Sequence, residues 1–93
     1  MIIGIVEAGI SIPHARSLKD KRAVLRSLKD RMLNHFNVSV AEVGKQDLWQ
    51  AAELAFVTVG AETEVVQKRL SEISAALHAD PRYVLMSLHT QML

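Results

Sequence analysis

Ser17-Leu18-Lys19-Asp20-Lys21-Arg22 opens a helix, and Phe36-Asn37-Val38-Ser39-Val40-Ala41-Glu42-Val43 opens a strand after it. Ser17 is a good N-cap because its hydroxyl can accept an otherwise orphaned backbone N–H, and Asp20 three residues on completes a capping-box-like pattern. Leu18, Leu25, Leu28, Met32 and Phe36 recur at helical steps after the first turn and form a core-facing stripe. The helix is expected to run to about His35, where Asn34 and Asn37 supply turn chemistry. From Asn37 to Val43 the pattern alternates loosely and reads as a strand. Gly44-Lys45-Gln46-Asp47 is the turn, and Gln46-Asp47-Leu48-Trp49-Gln50 carries the only tryptophan.

Working outward, Ile2 to Ile12 is rich in β-branched residues and stops at Pro13, which argues a strand. Ala51 to Val59 is another strand, ending at Gly60. Glu62 and Glu64 fall in the first turn of a second helix, where the macrodipole favours acids. Val66, Leu70, Ile73 and Leu77 form its buried stripe, and Pro81 ends it because the ring cannot continue a helix. Tyr83 to about Met92 is the last strand. Strand, helix, strand, strand, helix, strand is the split βαβ plan. The expected fold is α+β, ferredoxin-like βαββαβ, a four-stranded antiparallel sheet with two helices on one face. Right-handed crossovers predict the spatial order four-one-three-two. Residues 1–93 form a single domain.

Composition narrows the function classes. No cysteine is present, so there is no disulfide framework and no thiolate chemistry, which fits a reducing cytoplasm. No apolar run reaches the roughly 18 residues of a membrane span. Met1-Ile2-Ile3-Gly4 lacks a basic n-region, so no signal peptide is expected. With a net charge of only +1, any contact with nucleic acid must use a local patch.

Two surfaces stand out. The strands alternate poorly: Ile3 and Ile5 oppose Ile2 and Val6, and Leu54 and Phe56 oppose Ala55, Val57 and Val59. Val84, Met86 and Leu88 oppose Tyr83 and Leu85 in the last strand. A sheet face left open by the helices would then be partly apolar, which soluble monomers avoid. A homodimer, face to face or edge to edge, is the expected remedy, with Ile3, Ile5, Val57 and Trp49 as interface candidates. Scattered exposed aliphatics on a monomer are the plainer alternative.

The second surface is basic. Lys19, Arg22, Arg26 and Lys29 span an arc of about 80° on the first helix, at about 100° per residue. Arg16 precedes them, and Lys21 and Arg31 flank the apolar stripe. A ridge of Arg16, Lys19, Lys21, Arg22, Arg26 and Lys29 could track phosphates. Against this, it could be an ordinary solvated face partly paired to Asp20 and Asp30. Aromatics make up 4% of residues, and Ile3, Ile5 and Glu7 stand where an RNA-binding sheet would present stacking rings. Binding through the ridge would therefore read backbone or shape. Trp49 reads either as a contact for a base or a partner protein or, more simply, as an anchor packing the hairpin over the sheet edge.

Catalytic signals are missing. His14, His35, His78 and His89 make no i, i+4 helical pair, so no metal site is expected. Glu7 and Glu42 could meet across the sheet in one register only. The glycines are isolated, and no serine sits in a nucleophile elbow. We expect no enzyme, no catalytic residue and no cofactor.

Ser17 to Arg22, Phe36 to Val43 and Asp47 to Gln50, with Met1-Ile2-Ile3-Gly4 and Ile12-Pro13, resemble the YlxP-like family of small bacterial domains of unknown function. The resemblance spans nearly the whole chain and is weakest from Gln67 to Leu93. It implies a ferredoxin-like, dimeric domain and no established catalytic residues. It also implies a role near ribosomal RNA, because genes of the family tend to neighbour translation-initiation and ribosome-maturation genes. The leading expectation is a cytoplasmic RNA- or ribosome-associated homodimer without membrane contact or DNA preference. The rivals are a protein-interaction module using the open sheet face and a small-ligand regulatory domain.

Overall fold

A computed structural model describes all 93 residues. The elements are β1 (Ile2–Ser11), α1 (Leu18–His35), β2 (Ser39–Gly44), β3 (Ala51–Gly60), α2 (Thr63–His78) and β4 (Val84–Met92). All neighbouring strands pair antiparallel, in the order β2-β3-β1-β4. This is the expected ferredoxin-like α+β fold.

The long central pair sets the register. Ile2 faces Gly60 and Ser11 faces Ala51, ten consecutive pairs without a slip. Val6, Ala8 and Ile10 of β1 and Ala52, Leu54 and Phe56 of β3 therefore share the buried side. α2 covers it with Val66, Leu70, Ile73 and Leu77, all four stripe residues. The approach is close: a β-carbon at Gly4 would stand 2.7 Å from Val66 Cγ1 and 2.9 Å from Leu70 Cδ2. α1 adds Leu28 and Met32, with Leu25 and Phe36 partly buried beside them. Burying such side chains contributes about 1.5–3 kcal/mol each relative to exposure.

The cap of α1 forms with one change of partner. Ser17 Oγ accepts from the Asp20 N–H at 3.1 Å, as the pattern predicts. The Asp20 carboxylate reaches one residue further back than a capping box requires and accepts from the Arg16 N–H at 2.9 Å.

β4 departs from simple alternation. Its register against β1 shifts between Gly9 and Ile10, where a bulge absorbs one extra residue on the β4 side. The Gly9 N–H is met there by Ser87 Oγ at 3.1 Å. Beyond the bulge the faces exchange, so Leu85 and Leu88 both pack against the core while Val84 and Met86 are exposed. The expected common face of Val84, Met86 and Leu88 is thus broken.

A charged cluster closes the far end. The buried Asp80 accepts from Arg31 Nη2 at 2.9 Å, Arg82 Nη2 at 2.6 Å, and the Arg82 N–H and Nε. The Arg82 side chain, more than any other group, holds the Asp80 carboxyl well below the usual carboxylate range, although burial opposes this. Next to it, Tyr83 donates to the Leu77 carbonyl at 2.7 Å, and burial pushes its phenol up to about 12.

Candidate nucleic-acid interface

The basic residues of α1 divide into two groups with opposite environments. Arg16, Lys19, Arg22, Arg26 and Lys29 are exposed. None of the five forms an ion pair. The Asp20 carboxylate accepts from the Arg16 N–H, and Asp30 makes no ion pair with Arg26, so neither acid holds a ridge side chain in a salt bridge.

Lys21 does not belong to this ridge. It is 1% exposed, the largest fully buried side chain in the molecule. On the helical wheel it falls inside the arc of about 60° covered by Leu25, Leu28 and Met32. Its stem therefore runs under the helix, and its ammonium meets the turn between β2 and β3. Nζ donates to the carbonyls of Lys45 and Leu48, both at 2.8 Å, and lies 2.7 Å from Glu42 Oε2. Two carbonyls thus take two of the three N–H groups of the ammonium, and the carboxylate faces its charge. Glu42 Oε2 is buried and has this ion pair as its electrostatic partner, although it accepts no hydrogen bond of regular geometry. Arg31 also leaves the basic surface, because Asp80 engages it.

The turn that Lys21 holds is an unusual piece of backbone. Lys45 adopts φ 57°, in the left-handed region that non-glycine residues seldom visit. Its carbonyl and that of Leu48 both point to the same ammonium. On the other side, Gln50 Nε2 donates to the carbonyls of Pro13 and Ala15, at 3.1 and 3.0 Å, and the Ile12 N–H donates to the Gln50 carbonyl. These bonds fasten residues 45–50 to the connector that leads into α1.

Trp49 sits in this loop and is 53% exposed. The hairpin is fastened by hydrogen bonds from Lys21 and Gln50, and the indole stands half in water beside them. Ser11, Asp47, Leu48, Gln50 and Ala51 line a shallow open cleft beside the indole. Because Gln50 is bonded to Ala15, this cleft lies at the end of the molecule where Arg16 begins the ridge.

The open sheet face gathers three of the four proposed interface residues. Ile5 faces Val57 and Ile3 faces Val59 across β1 and β3, and Ile3 exchanges both backbone hydrogen bonds with Leu93. Val57 is 40% and Val59 45% exposed. Trp49 is not part of this patch: it adjoins Ala51, which pairs with Ser11 at the opposite end of β1.

Other chemical candidates stay apart. Glu7 lies on the open face opposite His89, whereas Glu42 lies on the helix side with Lys21, and β3 separates their strands. His35 Nδ1 and His78 Nδ1 contact carbonyls four residues earlier in their own helices. No three His, Asp or Glu side chains converge as a metal would require. No helix is long and apolar enough to cross a membrane.

The family described as "Protein of unknown function (DUF503)" matches residues 3–90. The uncharacterized protein YlxP of Bacillus subtilis (strain 168) is 38% identical over 80 residues, covering 86% of this chain and 87% of that protein. The family match extends through α2 into β4, where the resemblance from motifs alone is weakest, and the chain belongs to the DUF503, or YlxP-like, family.

Proposed function

We propose that this protein is an RNA-binding module without catalytic activity, and that the exposed edge of α1 is its phosphate-contacting surface. One observation carries the reading: Lys19, Arg22, Arg26 and Lys29 lie along one side of α1, with Arg16 just before its cap, all five exposed and without an ion pair. A chain of net charge +1 has gathered five unpaired cations on α1 and the segment just before it, while engaging Lys21, Arg31 and Arg82 internally. Such an array raises the local concentration of a polyanion and replaces its counterions.

A salt series of equilibrium binding to single-stranded RNA tests this. Four phosphate contacts predict a slope of log K against log salt of roughly −3, at about −0.7 per contact. The variant K19E/R22E/R26E/K29E should retain its fold and lose binding. Unchanged affinity in that variant refutes the surface.

A second reading has its own observation. Ile3, Ile5, Val57, Val59 and Leu93 adjoin on the sheet face that no helix covers. A second copy of the chain could bury this patch in a homodimer. Ile5→Asp should then convert a dimer to a monomer in sedimentation equilibrium, and a monomeric wild type at micromolar concentration would refute it.

A further inference from the structure

We infer that Trp49 is a stacking platform for an unpaired base of single-stranded RNA, placed where the strand would leave the basic edge of α1. The inference rests on the proposed RNA-binding reading and corrects one part of it: the ligand is read by a base face as well as by its backbone. Three features support it.

The indole is exposed and its backbone is fixed. Trp49 is 53% exposed, so about half of a large aromatic side chain stands in water. The residues on either side of it are tied down. The Leu48 carbonyl accepts from the buried Lys21 ammonium, and the Gln50 side chain donates to Pro13 and Ala15. A mobile loop would lose entropy on binding; this one has lost it on folding.

The position matches the charge. Gln50 is bonded to the carbonyl of Ala15, the residue before Arg16, so the indole and the first cations of the ridge share one end of the molecule. Sequence-tolerant single-strand binding combines a cationic track with aromatic faces on which bases stack. The open face of the sheet lacks those aromatics, and this loop supplies one.

The surroundings leave the indole open. The cleft beside it is lined by small or polar side chains, Ser11, Gln50 and Ala51 among them, with Leu48 and Asp47. Lys21 acts here as a positioning residue, since its ammonium is buried beneath the loop and unable to reach a ligand.

Trp49 is the chain's only tryptophan, so its fluorescence reports on this site alone. The full chain is titrated with a short single-stranded oligoadenylate and, separately, with a duplex of the same length. The inference expects quenching of Trp49 by the single strand. It also expects Trp49→Ala to weaken single-strand binding about 5- to 100-fold, with duplex binding little changed and Trp49→Phe recovering part of the loss. Gln50→Ala should leave the fold intact, lower the fluorescence anisotropy of the free protein and weaken the same binding. If the single strand binds without quenching and with equal affinity to Trp49→Ala, the inference fails while the cationic edge stands. If Trp49→Ala weakens single strand and duplex alike, the residue is structural and the inference also fails. If neither nucleic acid binds the wild type, the RNA-binding reading falls and the inference with it.

Discussion

Lys19 and Lys21 are two residues apart on the same helix and have opposite fates. Lys19 is exposed and unpaired, whereas Lys21 is 1% exposed and holds two carbonyls and a carboxylate. The difference is one of helical angle. A turn of about 200° across two residues carries the first to the solvent edge and the second into the stripe of Leu25, Leu28 and Met32. A lysine at a core position survives only if its ammonium finds acceptors, and the left-handed Lys45 turn brings two carbonyls to it. One helix therefore braces the hairpin with one face and offers uncompensated charge with another.

Substitutions should separate the two faces by size of effect. Lys21→Ala should cost the most, about 3 kcal/mol in urea unfolding, because it leaves Glu42 and two carbonyls without their partner. Glu42 retains 23% side-chain exposure, which places the loss at the lower end for a broken buried pair. Lys21→Met together with Glu42→Leu should be milder than Lys21→Ala, because both charges leave together.

Next comes Asp80. Asp80→Asn should cost about 1–2 kcal/mol at pH 7, a figure reduced because Arg31 and Arg82 are 40% and 37% exposed. Its folded-state ionisation is depressed, so its contribution is fully present above the ordinary carboxylate value of about 3.9 and fades as pH falls below it. Stability measured from pH 7 down to pH 2 should therefore fall less steeply in Asp80→Asn than in the wild type.

Tyr83→Phe should cost about 1 kcal/mol, the hydrogen bond to the Leu77 carbonyl. The phenol's folded-state value is raised, so its contribution holds below about pH 10 and is lost as pH climbs towards 12. The Phe variant should lack that alkaline decline in a pH-dependent thermal melt.

Smallest of all, K19E/R22E/R26E/K29E should change stability by under about 1 kcal/mol, since no internal partner is lost. A large loss in this variant would mean that the exposed edge carries structure, and the contrast with Lys21 would collapse.

Periodicity made most of the fold legible. The stripes of α1 and α2, the stop at Pro13 and the turn before Ala51 together gave the element order, and right-handed crossovers gave the strand order. Lys21 was legible too, since it stands four residues before Leu25 and seven before Leu28, but residue type outweighed position in assigning it to solvent. The bulge against Gly9 left no comparable mark: one extra residue in β4 exchanges its faces, and Val84 to Leu88 reads as plain alternation until its pairing with β1 is known. The fastening of the Trp49 loop left no local mark either, because its bonds come from Lys21 and Gln50, and neither long-range contact is written in local sequence.

Crosslinking the tagged protein to RNA in its native cells, with K19E/R22E/R26E/K29E alongside, tests the central claim most directly. The proposed function predicts ribosomal RNA enriched on the wild type and lost from the variant. Enrichment no greater than background for the wild type, or equal recovery by both proteins, would contradict it.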